Sequence, residues 1–128
     1  MKRPEIITEE YLNQNPDLVF VFGDNQDREG LGGAAALRHH KQSYGFITKV
    51  HPDDHPYSSY TPEHYPAVYL EEIRELRNLL KNPRNRNKTF LITKLGSGLA
   101  NRYGIWEKVI EPTIKILLKD CKNVEFLW

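Results

Sequence analysis

Two lysines and two short polar residues lie at the ends of apolar runs of the sequence. Their side chains could bind a ligand or take part in a reaction. Lys49 closes the run YGFITK, and Lys94 follows the run TFLIT. A lysine at such a position could pair with a phosphate or, if desolvated, act as a nucleophile, although a solvated strand end would also accept it. Asp24 and Asn25 come after the run DLVFVF, where they could bind a ribose hydroxyl or cap a turn.

The first of two glycine-rich loops runs from Gly23 to Ala36 and reads GDNQDREGLGGAAA. Its later glycines allow positive φ and let the backbone approach a ligand closely. A helix is predicted directly after the loop, and its free N–H groups would favour a phosphate. The loop has neither a Walker GK[ST] ending nor the GxGxxG spacing of a dinucleotide fold, so a tight connection without a ligand stays open.

The second glycine-rich loop runs from Thr93 to Gly104 and reads TKLGSGLANRYG. Its central Gly-Ser-Gly could wrap a second phosphate or a ribose with backbone donors and a hydroxyl. A simple turn is again the alternative. Two such loops at matching positions favour a phosphate site over two unrelated turns.

Alternating elements must position these loops. Apolar runs predict strands at 17–22, 44–49, 89–93 and 124–128, and helical spacing predicts helices at 32–43, 67–81 and 105–119. Pro112 should kink or restart the last helix. The alternation predicts an α/β fold with a mainly parallel sheet. Because both glycine-rich loops follow strands, we expect them to meet at the carboxyl edge of the sheet, where such folds bind ligands.

Two polar stretches connect these elements. The stretch 51–66 holds four prolines, three histidines and three tyrosines, and a loop of this length is usually functional or mobile. The stretch 81–88 carries four positive charges. It could contact nucleic acid, or it could be a solvated connection.

The length of 128 residues fits a single domain spanning 1–128, and the formal net charge of +1 gives no general attraction to nucleic acid or membrane. No apolar run approaches the roughly 20 residues of a membrane span, and no secretory signal is visible. The lone Cys121 rules out a disulfide within the chain, which fits a cytoplasmic protein. We expect neither cofactor nor metal, because no standard zinc spacing is found among the five histidines: His39, His40, His51, His55 and His64.

The two loops with their flanking strands resemble the macro domains, which bind ADP-ribose. The segment VFGDNQDREGLGGAAALRHHKQSYG is similar to their first ligand loop, and FLITKLGSGLANRYGIWEKVIEPTIKIL to their second. The tryptophan is typical of the branch that removes ADP-ribose from acidic side chains or DNA bases, and GFITK resembles its strand ending in a lysine nucleophile. The resemblance implies a three-layer α/β fold, with a mainly parallel or mixed sheet and helices on both faces.

The resemblance also implies roles for individual residues. Lys49 would attack C1″ of the distal ribose, Asn25 would approach that ribose, and the two loops would line the diphosphate. Together with the other loop glycines, the predicted ligand-binding residues are Gly23, Asn25, Gly30, Gly32, Gly33, Ala34, Gly96, Ser97, Gly98 and Leu99.

The chain departs from the hydrolytic branch at one place. That branch has an acidic residue shortly after Gly-x-Gly-Leu, whereas this chain has Ala100 and Asn101. Asp24 is then the nearest candidate for the acid. Three functions stay open: a domain that binds ADP-ribose or a related NAD-derived nucleotide and cleaves an ADP-ribosyl linkage on protein or nucleic acid, a non-catalytic nucleotide sensor, and a nucleic-acid or protein interaction module using 84–88 and exposed tyrosines.

Overall fold

A four-stranded parallel sheet forms the centre of the computed structural model, which describes residues 3–128. The strands are β1 (Leu18–Asn25), β2 (Ser43–Lys49), β3 (Thr89–Ile92) and β4 (Val124–Phe126). They lie in the order β2-β1-β3-β4, and every neighbouring pair is parallel. The α/β fold with a parallel sheet, predicted from the alternation of elements, is confirmed.

Within the described residues, three α-helices accompany the sheet: α1 (Glu9–Gln14), α2 (Tyr65–Lys81) and α3 (Ile114–Leu117). The apolar side chains of α2 recur on one face, as the sequence spacing predicts, and Tyr69, Ile73, Leu76 and Leu80 are all buried. Short 3-10 helices lie at Gly33–Leu37, Pro56–Ser58, Pro83–Asn85 and Leu99–Asn101. No helix among residues 3–128 is long and apolar enough to cross a membrane.

Side chains alternate between the two faces of the sheet, so each face has its own apolar cluster. On one face Val21 of β1 packs with α2, α3 and the segment around Trp106. On the other face Phe20 and Phe22 pack with Leu12 of α1. Both faces are therefore covered, which gives three layers, although α1 is far shorter than α2.

The helix predicted at 32–43 is wrong in length and type. Only Gly33–Leu37 is helical, as a 3-10 helix, and the chain then reaches β2 through turns in which His40 N–H donates to Leu37 O and Ser43 N–H to His40 O. Gly33 has a φ of +56°, which lies outside the α-helical region. This short helix has little macrodipole to offer a phosphate.

The helix predicted at 105–119 is divided, as Pro112 suggested. Trp106–Ile110 forms a π-helix in which the Glu111 N–H donates to Trp106 O, and α3 begins at Ile114. Proline has no N–H to continue the ladder. Helix α1 was not predicted, although Thr8 caps it by accepting from the Tyr11 N–H.

Candidate functional site

The carboxyl ends of β1, β2 and β3 border a cavity of about 460 Å³. Both glycine-rich loops contribute to its wall, as expected from their positions after β1 and β3. The lining residues are Gly23, Asp24, Gly30, Gly32, Gly33, Ala34, Ala35, Thr48, Lys49, Pro52 and every residue from Thr93 to Ala100. All the predicted site residues except Asn25 line this one cavity, and their binding roles stay predictions.

Among residues 3–128, Asp24 is the only carboxylate that lines the cavity, and both of its oxygens already accept hydrogen bonds. Oδ1 accepts from Arg38 Nη2 at 2.6 Å and from the Asn25 N–H at 2.8 Å, and Oδ2 accepts from Arg28 Nη1 at 3.1 Å. Burial acts to raise the pKa of Asp24, but the hydrogen bonds from Arg38, the Asn25 N–H and Arg28 outweigh it and lower this pKa. The side chain is therefore a fixed anion, and its role as a catalytic acid stays a prediction.

Arg38 connects this carboxylate to the first loop. Its guanidinium also donates to the carbonyl oxygens of Glu29 and Gly30, each at 2.9 Å, and lies 5.4 Å from the ring centroid of Phe22. The side chain is only 9% exposed. Arg38 therefore fixes the backbone that leads into the glycines lining the cavity. A guanidinium suits this task because it presents several donors in a rigid plane.

The ion pairs of Asp24 with Arg28 and Arg38 form one cluster, and this cluster explains why β2 has a glycine at position 45. A Cβ at this position would lie 2.3 Å from Asp24 Oδ2 and 3.0 Å from Arg28 Nη1. The strand can therefore carry only glycine beneath the carboxylate. Neither arginine was identified from sequence. The available signal is a strand ending in an acid, with one arginine in the loop that follows and a second arginine just beyond that loop.

Lys49 is buried at the end of β2, and its ammonium donates to the Asp53 carbonyl oxygen at 2.5 Å. The Asp53 carboxylate in turn accepts from the Ser58 hydroxyl and the His55 N–H, so a tight turn holds the lysine's partner. Lys94 is exposed, and its ammonium lies 5.3 Å from the ring centroid of Trp106. The two cavity lysines thus have different partners.

The second loop is shaped by apolar contact. Gly96 has a φ of +76°, and a Cβ there would lie 2.8 Å from Cδ1 of Ile110 and 3.3 Å from Cδ1 of Ile105. The Ser97 hydroxyl donates to Lys94 O at 2.6 Å, which closes the turn. Its oxygen keeps acceptor capacity, but its proton is already used.

The place of the expected acid is occupied by two structural residues. Ala100 is buried in the core beneath the loop. Asn101 accepts from the Trp106 N–H at 2.9 Å and donates to the Glu107 carboxylate, so it caps the π-helix. An amide does both tasks at once, because it has a donor and an acceptor.

Asn25 lies outside the cavity lining. Its Nδ2 donates to Glu29 O at 2.8 Å, and its Oδ1 is buried without a hydrogen-bond partner among residues 3–128. Buried polar atoms are rarely left unpaired in proteins. A hydroxyl donor would satisfy this oxygen.

The stretch 51–66 lies beside the cavity and contributes one residue to its lining. Pro52 lines it, Arg102 donates to Asp54 O at 2.7 Å, and the Tyr103 hydroxyl donates to Pro56 O at 3.2 Å. Tyr57 is 70% exposed and stacks on His55 with ring centroids 5.1 Å apart. The second loop therefore holds this stretch in place through its last residues.

Comparison with known proteins gives a family without an assigned activity. Residues 2–102 match the model described as "Family of unknown function (DUF7831)". The chain belongs to this family. No curated protein matches, and no solved structure matches.

The matched range of DUF7831 contains every residue that lines the cavity, from Gly23 to Ala100. It also contains Arg28 and Arg38, whereas α3 and β4 lie beyond it. No group of three or more histidine, cysteine, aspartate or glutamate side chains that could hold a metal is present among residues 3–128.

Proposed function

We propose that the cavity binds a phosphate-bearing nucleotide of the ADP-ribose type. The observation that carries this proposal is the meeting of both glycine-rich loops around one cavity at the carboxyl edge of a parallel sheet. The cavity's volume of about 460 Å³ is within the range of roughly 300–1,000 Å³ found for small-molecule sites.

The charges around the cavity favour an anion. Its ionisable lining side chains are Asp24, Lys49 and Lys94. Because two arginines hold Asp24, the carboxylate presents little uncompensated negative charge. The two lysines are left to attract a ligand phosphate, and Lys49 would exchange the Asp53 carbonyl for it.

Two glycines support contact between backbone and ligand. Gly32 and Gly98 have φ values of −79° and −94°, and a Cβ at either would meet nothing within 4 Å in the described chain. Packing requires glycine at neither position, and the extended conformation of Gly32, with a ψ of 146°, is open to any residue. A ligand that lies against the backbone would require glycine, as in other phosphate-binding loops.

The resemblance to macro domains is the reason for choosing ADP-ribose or a related NAD-derived nucleotide within this class. The resemblance implies that Asn25 approaches the distal ribose, but Asn25 lies outside the cavity lining and does not add support to this choice. Binding without hydrolysis is better supported than cleavage, because Asp24 is committed to its arginines and Ala100 and Asn101 replace the acid. The protein is then a nucleotide sensor on this fold.

Calorimetry with ADP-ribose, NAD and AMP tests the proposal, with the variants Gly32→Val and Gly98→Val. We expect the wild-type protein to bind at least one of these nucleotides and each variant to lose at least tenfold in affinity. Gly32→Val should leave the melting temperature nearly unchanged, since its side chain enters open space from an extended backbone. A thermal melt of each variant establishes that it is folded before its affinity is compared. Unchanged affinity in both folded variants, or no binding by the wild type, would reject the proposal.

A Lys49→Ala variant separates a sensor from a hydrolase. If Lys49 is a phosphate contact, the variant loses nucleotide affinity, and neither protein releases ADP-ribose from a modified peptide or DNA. If Lys49 is a nucleophile, the wild type releases ADP-ribose and the variant does not, while affinity stays within a few-fold. The second result would replace the sensor with the hydrolase.

A further inference from the structure

Basic side chains collect at the amino edge of the sheet, opposite the cavity. Two segments form this edge, the end of α2 with the following connection (77–88) and the approach to β4 (119–123). They contain seven basic residues and one acidic residue, a net charge of +6 in a chain whose formal net charge is +1. Positive charge is thus concentrated at this edge of the sheet, although the net charge of the whole chain is close to zero.

The two segments belong to one surface. Asn123 Nδ2 donates to Leu80 O at 3.1 Å and to Asn85 O at 3.3 Å. The Phe90 N–H donates to Asn123 O at 2.8 Å, next to the β3–β4 pairing. These contacts between buried or half-buried groups keep the basic side chains of both segments on a common, fixed support.

Acidic side chains neutralise little of this surface. Asp120 is held by Arg77 at 2.7 Å and by Lys81 at 2.9 Å. Asp17 borders the surface through its carbonyl oxygen, which accepts from the Thr89 N–H. Five exposed cations make no salt bridge among residues 3–128, and we call them the basic face: Arg84, Arg86, Lys88, Lys119 and Lys122.

We infer that the basic face binds the phosphate backbone of a nucleic acid. Duplex DNA carries about one negative charge per 1.7 Å of axis, and clustered lysine and arginine side chains bind it by releasing its counterions. No large exposed apolar side chain lies in 77–88 or 119–123, so the face lacks the groups that insert into a membrane or form the core of a protein interface. Contacts of this kind position a protein without reading base sequence.

The basic face is separate from the proposed nucleotide site. Strand β1 has eight residues and connects the two edges, which places them roughly 25 Å apart at about 3.3 Å per residue. A nucleic acid on one edge leaves the cavity on the other edge open. The inference therefore stands or fails independently of the proposed function.

Fluorescence anisotropy with labelled duplex DNA, single-stranded DNA and duplex RNA tests the inference over about 50–200 mM salt. Five phosphate contacts predict a log–log salt slope of about −4.5 on duplex DNA, a loss in affinity on the order of several-hundred-fold over this range. The three probes identify which form is preferred. No measurable binding to any of them at the lowest salt would overturn the inference.

Matched double variants locate the interaction. Arg84→Gln with Arg86→Gln, and Lys119→Gln with Lys122→Gln, should each reduce the slope by about 2 and weaken binding at low salt at least tenfold. Arg74→Gln with Lys108→Gln removes the same charge from other exposed places and should have little effect. An equal loss of nucleic-acid affinity in all three double variants would show that binding does not depend on the basic face and would overturn the inference.

Two further arms complete the test. Saturating ADP-ribose should leave the anisotropy unchanged, and displacement of the nucleic acid would place it in the cavity instead. Anionic lipid vesicles should compete weakly at equal phosphate concentration. Binding to vesicles with none to nucleic acid would overturn the inference in favour of a membrane surface.

Discussion

The two glycine-rich loops look alike in sequence, but different forces hold them. The first loop is organised by a buried carboxylate and two arginines, and Arg38 reaches from that carboxylate to the carbonyl oxygens of Glu29 and Gly30. The second loop is organised by close packing of Gly96 against Ile105 and Ile110. The shape of the first therefore depends on charge, and the shape of the second depends on volume.

The largest expected effect tests the charge side of this difference. Arg38→Leu leaves the buried Asp24 carboxylate with one arginine and frees two loop carbonyl groups. Removing one partner of a buried ion pair typically costs 3–5 kcal/mol, and the remaining contacts of Asp24 place our expectation at about 3 kcal/mol of unfolding free energy. Urea unfolding of both proteins measures it.

Arg28→Leu is the matched control, because it removes the other arginine from the same carboxylate. The Arg28 side chain is 53% exposed, so solvent already weakens its ion pair. We expect a loss below about 1 kcal/mol. Equal losses in the two variants would mean that burial of the pair does not control the first loop.

The packing side is tested by Gly96→Ala. The added Cβ would meet Ile110 at 2.8 Å at a φ of +76°, so overpacking and backbone strain act together. Each effect typically costs 1–3 kcal/mol, and we expect a loss of about 2 kcal/mol in urea unfolding, since Ile110 can shift slightly. Gly32→Ala adds the same methyl group in open space at a φ of −79° and a ψ of 146°, and it should change stability by less than about 0.5 kcal/mol.

The two loops show which features of the fold and of the site can be predicted from the sequence. The strands and the meeting of both loops follow from local patterns, since apolar runs and glycines are visible along the chain. The ion-pair cluster does not follow, because Arg38 lies 14 residues from Asp24 and only the folded chain brings them to 2.6 Å. Asn101 stands where the resemblance implies an acid, and its hydrogen bond from the Trp106 N–H depends equally on the folded geometry.

Ser97→Asp tests whether the second loop faces a phosphate. Two charges about 4 Å apart repel by roughly 4 kcal/mol at an effective dielectric near 20, and a quarter of this would weaken nucleotide binding several-fold. Ser97→Asn has similar size without the charge and should bind almost as well as the wild type. Calorimetry that finds equal affinities for the two variants would place the phosphates away from this loop.

The smallest expected effect is a change in stability at acid pH, and it depends on Asp24 in the first loop. The pKa of Asp24 is lowered from its ordinary value of 3.8, so its contribution to stability is present above that value and is lost as the pH falls through the lower folded-state pKa. Burial raises the pKa of Glu72 above its ordinary value of 4.5, despite a hydrogen bond from the Ile47 N–H. Its contribution to stability therefore has the opposite sign and is lost as the pH rises from 4.5 through the higher folded-state pKa.

Arg38→Leu separates these two carboxylates in a pH series of urea midpoints. It removes the largest of the hydrogen bonds that lower the pKa of Asp24, so the variant should lose less stability than the wild type as the pH falls below 3.8. The Glu72 contribution should persist in both proteins, because Glu72 accepts from β2 and not from Arg38. Gly96→Ala should keep the wild-type acid dependence despite its lower stability. If Gly96→Ala weakened the dependence of the urea midpoint on acid pH as much as Arg38→Leu does, charge would not be specific to the first loop.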